Sequence, residues 1–315
     1  MKQASRQVQM MGTTIDLLFE AEEGLLEALL DEAIERLKLY NHRFSANDAD
    51  SELSAINQAA GLNAVSVQGE LYELIKKGKE ESLAEPSNLD IALGPVVQSW
   101  RIGFDDARKP SEQEIEQALK LTDPEQIQLN DAEQSVFLAR SGMKIDLGAL
   151  AKGYIADLLM AWLKTRPVQS ALINLGGNVL VYGDNSKQPD GLWWIGLQAP
   201  GSKRGQHMGL IPIQNASLVT SGIYERQFEL DGQCYHHIFD RKTGQPIETE
   251  MASLTIQASS SLACEIWSSR LFGLDLWTAM STINAVPDIE GIIVLKNQKI
   301  LLSDGMKNKF QALPE

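Results

Sequence analysis

The sequence predicts an α+β fold in which antiparallel hairpins are mixed with packed helices. Segments of helical spacing, such as residues 22–41, are interspersed with short β-branched runs. Several of those runs flank turn residues, as residues 228–230 and 234–239 flank Asp231-Gly232. Helices and strands do not alternate one for one, which argues against a regular parallel winding. At 315 residues, 43% hydrophobic and 22% charged, the chain can bury a sizeable core. No shift in composition marks a boundary, so residues 11–315 are expected to form a single domain.

Residues 1–10 (MKQASRQVQM) lack the apolar stretch of a signal peptide. They are expected to be a disordered lead, in a protein either cytosolic or stripped of an export segment. Residues 13–19 read as a strand, and Leu25, Leu26, Leu29, Leu30, Ile34 and Leu37 then mark one stripe of a helix. Residues 44–53 look like a loop closing into a helix cap. Residues 70–84 repeat the helical signal. The polar pair Asn88 and Asp90 leads into an apolar stretch expected as a strand ending at Gly94-Pro95, with Trp100 in the core. Ser111 and Glu114 have capping-box spacing for a helix to about residue 121. Residues 127–129 and 135–139 pair across Asn130-Asp131.

A strand is expected to end on Asp146, and a helix over residues 149–164 to follow. Residues 171–182 read as strand, glycine break, strand. Short strands follow at 193–198, 209–213 and 218–221. Residues 253–257 are a strand, 262–280 helical, and 292–296 with 300–303 a final hairpin.

The formal charge of −14 disfavours a nucleic-acid partner, which needs a basic footprint. Cys234 and Cys264 are no disulfide framework. No apolar run reaches the ~18 residues of a membrane span.

Four segments could carry chemistry. His236 and His237, half of the four histidines, end a strand just before Asp240, Thr243-Gly244 and Pro246. Asp146-Leu147-Gly148 opens a helix whose N-terminus could seat a phosphate, although on this segment alone a helix cap by Asp146 is the favoured reading. Lys152 in the first turn opposes the helix dipole unless an anion offsets it. Glu265 and Ser269, four apart on a helix, could offer two oxygens to a hard ion such as Mg²⁺. The Asn88-Leu89-Asp90 loop could border a pocket for a flat aromatic ligand.

Six motifs occur in one family's order. They are Met11-Gly12-Thr13, the Phe44–Leu53 loop with Asn47-Asp48 and Ser51-Glu52-Leu53, Asp90-Ile91 with Gly94-Pro95 and Trp100, Asp146 to Tyr154, Ser221-Gly222 with Tyr224 and Arg226, and His236 to Pro246. The chain thereby resembles the ApbE-like flavin transferases, from Met11 to the last hairpin. The resemblance implies binding of FAD and Mg²⁺, cleavage of the pyrophosphate, and attachment of FMN to a Thr or Ser of an acceptor protein. It implies that Met11, Asn47, Asn88, Leu89, Asp90, Asp146, Lys152 and Phe239 line the FAD site. Ala149 (through its carbonyl), Glu265 and Ser269 would bind Mg²⁺, and His237 would be the base. A location in the periplasm or on the outer face of the membrane is implied as well.

Two metal positions depart from the family pattern. Glu265 stands where Asp is usual, moving the carboxylate by roughly 1.5 Å, one C–C bond, and Ser269 stands for Thr. Asn47 occupies a position where many members carry Tyr. The alternatives are an FAD pyrophosphatase, with water as acceptor, and a flavin-binding protein whose metal site has decayed.

Overall fold

A computed structural model describes residues 1–202 and 205–314. An eight-stranded sheet forms its centre. In spatial order the strands are Lys2–Met10, Thr13–Ala21, Val168–Leu175, Asn178–Tyr182, Ser217–Gly222, Met251–Ala258, Glu290–Leu295 and Ile300–Leu302. Every neighbouring pair is antiparallel. This is the predicted α+β architecture.

Alternation along the strands gives the sheet two apolar faces. Leu180 belongs to the core beneath the helices Glu23–Arg43 and Ala151–Leu163, together with Leu30, Leu37 and Leu159. Its neighbours Val179 and Val181 point the other way, against Trp193, Leu197 and Ile211 of a small sheet. The helix Ser261–Leu271 lies beside Ala151–Leu163 on the first face. Their closeness depends on Gly153, where a Cβ would stand 2.6 Å from the Ser261 carbonyl oxygen.

Four expectations change. Residues 2–10, expected disordered, form an edge strand in unbroken register with Thr13–Ala21. Ala4, Val8 and Met10 pack on the core, and Arg6 pairs with Glu27 and Asp31 of the neighbouring helix. The stabilising partners are tertiary, so local polarity misleads. Residues 144–146 extend as expected but join no strand: the Asn57 side chain accepts from Ile145 N (2.7 Å) and donates to its carbonyl (3.0 Å). One amide side chain thus replaces a neighbouring strand.

The stretch before Gly94 is a 3-10 turn, Ile91–Leu93, that runs into the helix Gly94–Trp100. Asp90 starts the turn by accepting from Ala92 N, and Pro95 suits a first helical turn. Trp100 is fully buried, as expected. Residues 262–280 are two helices, Ser261–Leu271 and Leu276–Ala285, parted at Gly273 (φ 84°). The capping box at Ser111 is present in full.

Candidate active site

The histidine pair divides its labour. His236 ends the strand Gln233–His236 and is buried. Its Nδ1 accepts from Ile238 N at 3.3 Å, which leaves Nε2 to donate to the Ile247 carbonyl at 3.1 Å. Both ring nitrogens are consumed by backbone. His237 differs. Its backbone N–H (3.2 Å) and its Nδ1 (3.1 Å) both approach the Arg226 carbonyl. A carbonyl only accepts, so Nδ1 carries the proton and Nε2 keeps its lone pair. Among the described residues Nε2 has no partner. Burial, with the charges of Arg226, His236 and Lys152 adding to it, depresses the His237 pKa to about 4. The ring is a neutral base at ordinary pH.

Arg226 directly precedes the same hairpin and reaches the turn between the first two strands. Its Nη2 donates to the Met11 carbonyl at 3.3 Å. Met11 and Gly12 form the two-residue turn between the first two strands, with φ of 57° and 68°. Positive φ at both central positions is what a tight hairpin of this twist demands. The Arg226 side chain runs past Gly12 and Gly103, where a Cβ would lie 3.1 Å from its Nη2 and 3.0 Å from its Cδ. Among the described residues it makes no ion pair.

Asp146 accepts from Gly148 N at 2.8 Å, in the turn that precedes the helix Ala151–Leu163. It therefore closes that turn and leaves the helix N-terminus uncapped by its own segment. Burial raises its pKa, while Gly148 N–H and Arg226 oppose the rise. The helix's missing cap comes from elsewhere. Glu265 Oε2 accepts from Gly153 N at 2.9 Å, and Oε1 from Asn178 Nδ2 at 3.0 Å. Gly153 is the third residue of the helix, so its N–H has no acceptor within the helix and Glu265 supplies one. The Ala149 carbonyl, two residues before the helix, accepts no backbone hydrogen bond among the described residues.

Burial pushes Glu265 up to about 7, with Lys152 the largest opposing influence. Lys152 is half-buried and, among the described residues, makes no ion pair. One turn beyond Glu265, Ser269 is half-buried and its hydroxyl makes no hydrogen bond among the described residues.

The Asn88-Leu89-Asp90 loop is tied to the segment after His237. Asn88 Nδ2 donates to the Phe239 carbonyl at 2.9 Å, and Arg241 N donates to Asn88 Oδ1 at 3.3 Å. Phe239 packs on Trp100 with ring centroids 5.8 Å apart. Leu89 is 3% exposed, and its backbone N–H donates to Ser87 Oγ at 3.1 Å. Asp90 is pushed up to about 6 by burial, opposed by its bond from Ala92 N and by Arg241.

Six of the expected residues thus converge with Arg226: His237, Met11, Asp146, Lys152, Glu265 and Ala149. Asn88, Leu89, Asp90 and Phe239 adjoin them through the Asn88 bonds. Asn47 is the outlier. It is exposed, and its Oδ1 accepts from Gln98 Nε2 at 3.1 Å on the helix Gly94–Trp100. Sequence reasoning overlooked Arg226, although it sits in the motif with Tyr224, and overlooked Asn178, which follows the glycine break at Gly176-Gly177. An asparagine opening a buried strand was the available signal.

The donor set suits a hard divalent cation: a carbonyl with no backbone donor among the described residues, a buried carboxylate and a hydroxyl unbonded among them. The longer Glu265 is accommodated, since both its oxygens meet N–H donors at ordinary distances. Among the described residues there is no cluster of three or more His, Cys, Asp or Glu that could hold a metal.

Comparison with known proteins places this geometry. The ApbE family pattern matches residues 11–293. An FAD:protein FMN transferase of Klebsiella pneumoniae is 38% identical over 304 residues, covering 96% of this chain and 93% of the relative. One from Treponema pallidum is 33% identical over 299 residues, covering 91% and 83%. The crystal structure of the ApbE protein from Thermotoga maritima superposes with a TM-score of 0.88 at 27% identity, over 98% of this chain and 99% of that one.

Proposed function

The chain belongs to the ApbE family, and from that premise we propose that it is a Mg²⁺-dependent FAD:protein FMN transferase. The donor is FAD and the acceptor a Thr or Ser hydroxyl of another protein. The hydroxyl oxygen bonds to the phosphorus on the FMN side, the bond from that phosphorus to the bridging oxygen breaks, and AMP departs.

One observation carries the reading: a neutral histidine whose Nε2 is free among the described residues, its tautomer fixed by the Arg226 carbonyl, beside Lys152 and Arg226, which make no ion pair among those residues. His237 Nε2 takes the acceptor's proton. Its low basicity in the free protein reflects burial first and neighbouring positive charge after it, and an arriving pyrophosphate offsets the charge part. Lys152 and Arg226 hold the phosphate oxygens, where charge develops as the bond breaks. Met11, Asn88, Leu89, Asp90, Asp146 and Phe239 wall the flavin nucleotide, and Asn47 borders its outer edge. The Ala149 carbonyl, Glu265 and Ser269 would hold Mg²⁺, which when bound neutralises charge on the phosphoryl oxygens. Positioning by these groups does most of the work, as in other phosphoryl transfers.

The periplasm or the outer membrane face is the proposed location, on family grounds. Among the described residues no helix is long and apolar enough to cross a membrane.

Incubation with FAD and Mg²⁺, with and without a Thr-containing acceptor peptide, tests the reading by mass spectrometry and AMP release. AMP together with an FMN-sized mass gain on the peptide is expected. AMP with free FMN in both tubes would make the protein an FAD pyrophosphatase. FAD binding without AMP would leave a binding protein.

A further inference from the structure

The helices Ala151–Leu163 and Ser261–Leu271 cap each other. Glu265 of the second accepts from Gly153 N of the first. Asp157 of the first accepts from Ser261 N through Oδ1 and from Leu262 N through Oδ2, both at 2.8 Å, at the N-terminus of the second. Between these two bonds lies the contact at Gly153, which admits no side chain against the Ser261 carbonyl. Three constraints of different direction therefore set how one helix sits along and around the other.

That setting matters because the proposed metal donors are split between the helices. The Ala149 carbonyl precedes the first, while Glu265 and Ser269 project from the second, one and two turns beyond the N–H groups that Asp157 holds. Mg²⁺ demands near-ideal octahedral geometry, so a slide of one helix by a fraction of an ångström separates its donors. A local cap already serves the second helix: Ser260 Oγ accepts from Ala263 N at 3.2 Å. Asp157 adds to that cap a tie between helices. We infer that Asp157 is a positioning residue for the metal site, fixing the register in which Ala149, Glu265 and Ser269 face one ion. The inference rests on the metal reading proposed above.

Mg²⁺ titration of the full-length protein by calorimetry, without FAD, tests it alongside FAD binding measured without Mg²⁺. Asp157→Asn keeps one acceptor but turns an N–H toward the other backbone N–H. It is expected to weaken Mg²⁺ at least tenfold while FAD affinity stays within about threefold. Ser260→Ala removes the local cap of the same helix, lowers the melting temperature, and is expected to leave Mg²⁺ affinity within about twofold. If Asp157→Asn does not fold, Gly153→Ala, which forces the helices apart, carries the same expectation. Unchanged Mg²⁺ affinity in the inter-helix variant would overturn the inference. So would an equal loss in Ser260→Ala, because Asp157 would then be an ordinary stabilising cap. A wild-type protein that binds no Mg²⁺ would instead sink the metal reading itself.

Discussion

The two halves of the candidate site are built in opposite ways. The side that carries Glu265 is a pair of buried helices locked by mutual backbone caps, with Gly153 at the point of contact. The side that carries His237 is made of strand ends and tight turns, held by an exposed arginine that reaches from the hairpin to the Met11 carbonyl. The first half buys rigidity with buried hydrogen bonds and keeps its carboxylate protonatable near neutrality. The second keeps its ring nitrogen open to solvent-borne partners and neutral. Under the roles proposed above the contrast is expected: a metal seat tolerates little movement, whereas a base that must meet an incoming protein hydroxyl needs access.

The comparison can be broken most sharply at His237. His237→Ala is expected to lower turnover by about 10²–10⁴, the usual worth of a general base, with FAD still bound. AMP release under saturating FAD measures it, and unchanged turnover would remove His237 from the chemistry.

Lys152 lies where the halves meet. Lys152→Met should weaken FAD by about tenfold or more, since a charge-assisted hydrogen bond contributes about 1.5–3 kcal/mol. Riboflavin, which has no pyrophosphate, should be affected little. Fluorescence titration of both ligands decides, and equal weakening places Lys152 away from the phosphates.

The open half also predicts a pH profile. With the His237 pKa lowered to about 4 in the free protein, kcat/KM should hold its value down to an acid limb near pH 4. Above that the ring is unprotonated and competent; below it the proton already occupies Nε2. A limb near 6.5, the ordinary histidine value, would mean that neither burial nor the charges of Arg226 and Lys152 disfavour protonation of the ring. For folding the sign is the same: the unfolded histidine binds its proton at higher pH, so this group's contribution to stability rises with pH from about 4 to 6.5.

On the locked side, Glu265→Asp sharpens the question of fit. Shortening the side chain withdraws the carboxylate from Gly153 N–H or from Asn178, and an abandoned buried donor costs about 1–3 kcal/mol. Chemical denaturation should show that loss. A variant as stable as the parent, with tighter Mg²⁺, would show that the longer side chain is a defect. Asn47→Ala should have the smallest effect, within about threefold on FAD affinity, because the residue is exposed and, among the described residues, bonded only to Gln98 and Ser45.

Much of this was legible in the chain. The capping box at Ser111, the Asp231-Gly232 hairpin (φ 52° and 75°) and the stripe of the helix Glu23–Arg43 follow from interactions within a few residues. Local chemistry suffices for them, as it does for the turn after Asp146. The motifs around His237 and Lys152 were legible because their residues, in their order along the chain, carry the likeness to the ApbE family.

Other features depend on partners far along the chain. The polar residues 2–10 become a strand because Thr13–Ala21 and the helix behind it supply register and charge. The extended residues 144–146 stand without a strand because Asn57, 88 positions away from Ile145, bonds them. Which histidine is the open one was settled by the Arg226 and Ile247 carbonyls. Glu265 took its place from Gly153, 112 residues away. The sequence by itself determined the family and most of the element types, because these rest on side-chain identity and short-range spacing. Only the tertiary structure decided which nitrogen is free, what caps the helix Ala151–Leu163 and how two helices register, because hydrogen bonds between separate segments set all three.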